Sequence, residues 1–80
     1  MEKSYMKFEI GRLAGEIWHF LKENGRSDIN QLKKNVLQGN SESGTNIMFF
    51  SSIGWLLKEN KIIICEEREG TTLKTFVSLK

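Results

Sequence analysis

The stretch Asn46–Lys80 reads NIMFFSSIGWLLKEN, KIIICEER, EGTT and LKTFVSLK in succession. Apolar residues recur at helical spacing in the first segment, which predicts a helix over residues 46–59. We expect one apolar face made of Phe49, Phe50, Ile53, Leu56 and Leu57. The second and fourth segments predict strands over 61–68 and 73–80, because they are rich in isoleucine or alternate apolar and polar residues. Residues 69–72 form the turn of an antiparallel hairpin.

Two more helices precede this stretch. Residues 9–24 place their apolar side chains on one face and end before Gly25, which suits a left-handed C-cap. We expect that face to contain Ile10, Leu13, Ala14, Ile17, Phe20 and Leu21. Residues 27–36 predict a shorter helix, which Ser27 or Asp28 caps. Its core-facing residues are Ile29, Leu32, Val36 and the neighbouring Leu37.

The connection over residues 38–45 is polar and rich in turn-forming residues. Thr45 or Asn46 is expected to cap the third helix, and Asn60 to end it in a left-handed conformation. Three helices and then a hairpin predict an α+β winged helix-turn-helix, in which the hairpin packs on the first and third helices. We expect residues 1–80 to form a single domain.

Composition excludes several classes of protein. With 39% apolar and 28% charged residues, the chain of 80 residues is typical of a folded domain. A net charge of +2 permits an anionic partner without requiring one. The single cysteine, Cys65, excludes an internal disulfide and a multi-cysteine zinc site. We see no signal peptide and no membrane-spanning run, so we expect a cytoplasmic protein.

Two motifs resemble a small bacterial and archaeal winged helix-turn-helix family of unknown function. They are IGRLAGEIW at residues 10–18 and IGWLLKENKI at residues 53–62. The family pattern reads IGxxAGxIWxxL and xIGWLxREDKI, so Lys58 and Asn60 replace its usual arginine and aspartate. The resemblance spans about residues 8–68. It implies the winged fold and, by analogy, DNA binding or a role in transcription regulation.

The first functional hypothesis is therefore a DNA-binding or transcription-associated module that binds double-stranded DNA. In a winged helix the third helix enters the major groove and the hairpin, or wing, approaches the backbone. The candidate contact residues are Lys33, Lys34, Thr45, Asn46, Ser51, Ser52, Lys58, Arg68 and Lys74. The third helix, however, contains one lysine and no arginine, and Glu66, Glu67 and Glu69 on the wing would oppose phosphates.

The alternative hypothesis is a dimerisation or protein-interaction module that does not bind DNA. Met48 and Trp55 are seven residues apart, on the same outward line of the third helix, and Ile47 lies nearby. We expect Met48 to be exposed, and we favour a position for Trp55 beneath the wing, against Phe76 or Ile63. Homodimerisation is expected through this surface or through an N-terminal segment. The segment contains Tyr5, Met6 and Phe8.

No residue pattern indicates an enzyme, a cofactor or a small-molecule substrate. His19 is the only histidine, and Glu16 and Glu23 lie one helical turn from it, which favours surface ion pairing over catalysis. Cys65 falls within a strand and is expected to be a small buried residue. We interpret the glutamates at positions 66, 67 and 69 as a solvated strand end and not as a metal site.

Overall fold

A computed structural model describes residues 3–38 and 43–80, which form helices and a three-stranded antiparallel sheet. The elements in chain order are α1 (Lys3–Asn24), β1 (Ser27–Asp28), α2 (Ile29–Leu37), α3 (Ser43–Lys58), β2 (Ile62–Glu69) and β3 (Thr72–Leu79). The predicted order of helices and hairpin is confirmed. The strand β1, in contrast, was not predicted, because two residues are too few to show a periodic pattern.

The sheet has the strand order β1-β3-β2, so β3 is its central strand. In the hairpin Ile64 pairs with Val77 and Ile62 pairs with Leu79. On the other edge Ser27 pairs with the same Val77. Because alternate residues of a strand point to opposite faces, this register puts Ile62, Ile64 and Val77 on the face that packs against the helices.

The helices end where the sequence provides caps. Gly25 and Asn60 have φ angles of 76° and 62°, the left-handed conformation expected at both positions. The Asp28 carboxylate caps α2 by accepting hydrogen bonds from the backbone N–H groups of Asn30 (2.8 Å) and Gln31 (3.3 Å). Gln38, also left-handed with φ of 55°, ends the same helix.

The hydrophobic core joins all three helices to the sheet. Its buried residues are Leu13, Ala14, Ile17, Leu21, Leu32, Leu37, Phe49, Ile53, Leu56, Ile62 and Val77. The predicted core faces of α1 and α2 are confirmed, with Ile10, Phe20, Ile29 and Val36 at their partly buried margins. A polar contact lies within this interior. The buried Ser52 hydroxyl donates to the Met48 carbonyl oxygen at 2.7 Å and lies 3.1 Å from the Ile10 carbonyl oxygen on α1.

Several boundaries and environments differ from the predictions. The first helix begins at Lys3 instead of residue 9, and α3 begins at Ser43, so Thr45 and Asn46 lie inside the helix and cannot cap it. Of the connection predicted over residues 38–45, residues 39–42 lie outside the described part. Tyr5, Met6 and Phe8 fall within α1, but their side chains lie outside the described part as well.

Within residues 3–38 and 43–80, none of the helices combines the length and the apolar character that crossing a lipid bilayer requires.

Candidate interaction surface on the third helix

Helix α3 carries large apolar side chains on both of its sides. Phe49, Ile53 and Leu56 are buried against α1 and the sheet. Ile47, Phe50 and Leu57, which lie on an adjoining side of the helix, are 60%, 49% and 44% exposed. The prediction that Phe50 and Leu57 face the core is therefore wrong. Together the five apolar residues of the predicted face span more of the helix circumference than α1 and the sheet cover.

The exposed residues form one continuous row. At 100° per residue, positions 47, 50, 54 and 57 fall within about 80° of the helix circumference. We call Ile47, Phe50, Gly54 and Leu57 the outer line of α3. Gly54 lies in its middle, and a Cβ atom added there would meet no atom of the described residues within 4 Å. The outer line therefore contains large side chains with an open gap between them.

Two neighbouring side chains contact the Phe50 ring of the outer line. Its ring meets the buried Phe49 ring edge to face, with 5.1 Å between centroids and an interplanar angle of 81°. From α2, the Lys33 ammonium lies 5.5 Å from the Phe50 ring centroid, within the range of a cation–π contact. Lys33 was predicted as a phosphate contact, but part of its side chain covers this ring.

Trp55 lies to one side of the outer line, where it faces a groove against α1. The groove has a volume of about 350 Å³, and Gly11, Gly15 and Trp18 belong to its other wall. Trp55 is 46% exposed, so the prediction that it is buried beneath the wing is wrong. Trp18 itself makes an edge contact with the His19 ring, and the Lys22 ammonium lies 5.0 Å from its ring centroid.

Met48 is not the exposed residue that we expected. It is partly buried, and it packs against the core cluster. It also lines a second cavity of about 330 Å³, together with Arg12, Glu16 and Thr45. The Arg12 guanidinium and the Glu16 carboxylate form an ion pair of 2.6 Å on this rim. Of the predicted interface residues, Ile47 and Trp55 are thus accessible, whereas Met48 mainly supports the core.

The residues predicted to contact nucleic acid differ in their exposure to solvent. Ser52 is fully buried and bonded inside the fold, so its hydroxyl cannot reach an external ligand. Thr45 and Asn46 are partly buried. The Asn46 Oδ1 atom is buried and has no hydrogen-bond partner among the described residues. The remaining exposed members of the predicted set are Lys34, Ser51, Lys58, Arg68 and Lys74.

Arg26, which lies just before β1, contacts two residues of the wing that no sequence pattern connects with it. The Arg26 guanidinium lies 4.0 Å from the Phe76 ring centroid and forms an ion pair with Glu67. Its hydrogen bond to Glu67 raises the pKa of Arg26 above its ordinary value. Without β1 the sequence cannot place residue 26 beside the sheet, and no periodic signal marks this contact.

Other residues of the hairpin either form polar contacts or are exposed to solvent. Lys74 pairs with Glu69 at 3.5 Å, which weakens its candidacy as a phosphate contact. Lys80 donates to the side chain of Asn60 and so joins β3 to the end of α3. Cys65 is exposed, so the prediction that it is buried is wrong. It lies opposite Phe76 in the hairpin, on the sheet face that points away from the helices.

The described residues contain no group of three or more histidine, cysteine, aspartate or glutamate side chains arranged to hold a metal ion.

Comparison with known proteins agrees with this architecture. The family described as "Winged helix-turn-helix domain (DUF2582)" matches residues 1–75. The chain belongs to this family. It is also similar to the uncharacterized protein MJ1608 of Methanocaldococcus jannaschii, with 32% identity over 66 residues. That alignment covers 82% of this chain and 89% of the archaeal protein. No solved structure matches the chain. Membership of the winged helix-turn-helix family confirms the fold and leaves the ligand or partner open.

Proposed function

We propose that the chain is a winged-helix docking module that binds a protein surface through the outer face of α3. The observation that carries the proposal is the outer line, where Ile47, Phe50 and Leu57 are about half exposed or more. Large apolar side chains in a row gain free energy when a partner removes them from water. The core already covers the opposite side of α3, so a partner would have to bind this outer side.

The chemistry of the same face disfavours base reading. A helix in the major groove recognises bases through hydrogen-bond donors and acceptors at its exposed positions. Among the residues of α3 whose side chains are described, Ser51 and the terminal Lys58 are the exposed serine and lysine. Placing Ile47, Phe50 and Leu57 against base edges would remove water from those edges without replacing its hydrogen bonds.

A second candidate function is DNA binding through phosphates, as part of transcription regulation. Membership of a winged helix-turn-helix family supports it. Lys34, Lys58 and Arg68 also support it, because they are exposed and no acidic side chain of the described residues forms an ion pair with them. Binding of this kind would be largely independent of sequence and would weaken steeply with salt.

The two candidates can be separated with one set of variants. Phe50→Glu combined with Leu57→Glu places charge on the outer line, and Leu73→Glu is the matched control. Leu73 is 56% exposed at the wing tip, so the control adds one carboxylate, where the double variant adds two, at a similarly exposed apolar site. Each protein is tagged, produced in the source organism and purified with its bound proteins. Each is also titrated against mixed-sequence duplex DNA at about 50 mM and about 200 mM salt.

We expect the double variant to lose its bound protein and the control to keep it. We expect at most weak duplex binding for every variant. Tight duplex binding that is lost in the double variant, together with no bound protein for any variant, would overturn the docking proposal in favour of DNA recognition by α3.

We further propose that residues 1–80 form one cytoplasmic domain without catalytic activity. A single buried cluster containing residues of all three helices, β2 and β3 supports one domain. The lone, unpaired Cys65 suits a reducing compartment. The exposed position of His19, with its ring against Trp18, supports a non-catalytic role for the only histidine.

A further inference from the structure

We infer that the surface that binds the outer line is a second copy of the same chain. The two α3 helices lie antiparallel, related by a two-fold axis that passes beside residue 52. This dimer rests on the docking function proposed above and names its partner. The features that carry it are the order of large and small residues along the outer line, the unexplained Gly54 and the position of Lys58 at the end of α3.

The outer line is complementary to itself when it is reversed. In an antiparallel pair centred on residue 52, residues equally distant from the centre along the two helices face each other. Phe50 then faces the partner's Gly54, and Ile47 faces the partner's Leu57. A large ring thus enters the gap above a glycine, and two aliphatic side chains pack together on each side of it. Two-fold interfaces require this kind of self-complementary pattern.

Gly54 has no other explanation within the described residues. Glycine inside a helix lowers helix stability relative to alanine. A Cβ atom at this position would meet no atom of residues 3–38 and 43–80 within 4 Å, so packing within this part of the chain does not require glycine. The ring of Phe50 from a second copy would occupy that space, and a side chain at position 54 would obstruct it.

The Lys58 charge at the end of α3 favours the antiparallel arrangement over the parallel one. Lys58, the last residue of α3, is exposed at one end of the outer line. In a parallel pair the two Lys58 ammonium groups would meet. In the antiparallel pair they lie about 18 Å apart along the helices, given a rise of 1.5 Å per residue. That separation exceeds the Debye length of about 8 Å at physiological salt.

The expected dimer is reversible. A single pair of helices buries less than the roughly 800 Å² per partner of a standard stable interface. Sedimentation equilibrium of the purified protein should therefore show a mass that rises with concentration from monomer to dimer. The same experiment at high salt should show little change, since the contact is apolar.

Substitutions at glycine test the proposed contact directly. Gly54→Ala should weaken dimerisation at least tenfold and should raise the melting temperature of the monomer, because alanine favours the helix. Gly15→Ala is the matched control, since Gly15 is also an exposed glycine inside a helix, and a Cβ atom added there would meet none of the described residues within 4 Å. It should raise the melting temperature without changing the dimerisation constant. Equal dimerisation constants for the two variants would overturn the placement of Gly54 at the contact.

Disulfide cross-linking tests the direction of the helices. In a Cys65→Ser background, Ile47→Cys mixed with Leu57→Cys should give a disulfide-linked dimer under mild oxidation. Either variant alone should not, because its two cysteines are about 15 Å apart along the helices, whereas a disulfide needs Cα atoms within about 7 Å. Efficient cross-linking of each variant with itself would show a parallel pair and overturn the inferred arrangement.

The dimer and the docking function can fail separately. A wild-type protein that stays monomeric at every concentration overturns the second copy as partner. If Phe50→Glu with Leu57→Glu still removes another protein in the purification described above, the docking function remains and its partner is a different chain. If that variant removes nothing as well, both proposals fall.

Discussion

Helices α1 and α3 pack against each other in the core, yet their outward sides are opposite in character. The outward side of α1 carries Arg12, Glu16 and His19, all exposed to solvent. The outward side of α3 carries Ile47 and Phe50, which are just as accessible. Both helices bury one apolar face in the same core. The fold therefore explains the pattern of α1 over residues 10–24, where its side chains are described, but only half of the pattern of α3.

The difference shows that the apolar residues of α3 serve two purposes. Leu56 and its buried neighbours stabilise the monomer, because they are removed from water when the chain folds. Residues of the outer line contribute little to the monomer, since roughly half of each remains in water. Four predictions test this difference, beginning with the buried side of α3 and ending with the charged side of α1.

The largest effect is expected from Phe49→Ala. Phe49 is fully buried, so its truncation should lower the free energy of unfolding by about 3–5 kcal/mol. Phe50→Ala, the adjacent and half-exposed residue, should cost less than about 1 kcal/mol in the monomer. Urea denaturation at low protein concentration measures both. Similar losses for the two variants would show that α3 has no distinct outer side.

A smaller difference in stability is expected between substitutions of the neighbouring residues Ser51 and Ser52. Ser52→Ala removes the hydroxyl that contacts carbonyl oxygens of α3 and α1, so it should cost about 1 kcal/mol. Ser51 is exposed, and Ser51→Ala should change stability by no more than about 0.5 kcal/mol. Thermal unfolding of both variants provides the measurement. A stable Ser52→Ala protein with an unstable Ser51→Ala protein would reverse the assignment of the two faces.

Replacing the glycines on the outward sides of α1 and α3 should stabilise the monomer, in contrast to the substitutions above. Gly15→Ala and Gly54→Ala should each raise the free energy of unfolding of the monomer by about 0.5–1 kcal/mol, because a Cβ atom finds open space at both sites. Urea midpoints at a concentration well below dimerisation would measure this gain. A loss at either position would indicate a close intramolecular neighbour that the structure does not contain.

The smallest effect is expected on the charged side of α1. Glu16→Gln removes the ion pair with Arg12, whose partners are both about half exposed, and should cost no more than about 0.5 kcal/mol. The difference should shrink further at high salt. A loss above about 1.5 kcal/mol would mean that this side of α1 is as important to the fold as the buried side of α3.

Periodicity predicted the helices and the hairpin but not the outer line. It identified α3 as a helix, yet Phe49 and Phe50 are adjacent and equally apolar, so hydropathy alone could not separate the buried ring from the exposed one. The core position depends on where α1 and β2 lie, which is tertiary information. The same holds for Cys65, whose exposure follows from the register that pairs Ile64 with Val77.

The short strand β1 was the other element beyond the reach of the sequence. Ser27 and Asp28 read equally well as the start of a helix, and Asp28 does cap α2. Their pairing with β3 is fixed by residues far along the chain, so no local pattern reveals it. The position of Arg26 beside Phe76 was missed for the same reason, because it depends on that pairing.

The central position of β3 has a consequence for how the molecule is assembled. Val77 pairs with Ser27 on one side and with Ile64 on the other. Its contacts with β1 join parts of the chain that are far apart in sequence, a feature associated with slower folding. During synthesis the helices are made first, but β1 and β2 have no neighbour to bridge them until residues 72–79 emerge from the ribosome. A nascent chain that stalls before this segment would leave two unpaired strand edges, and such edges recruit other chains into aggregates.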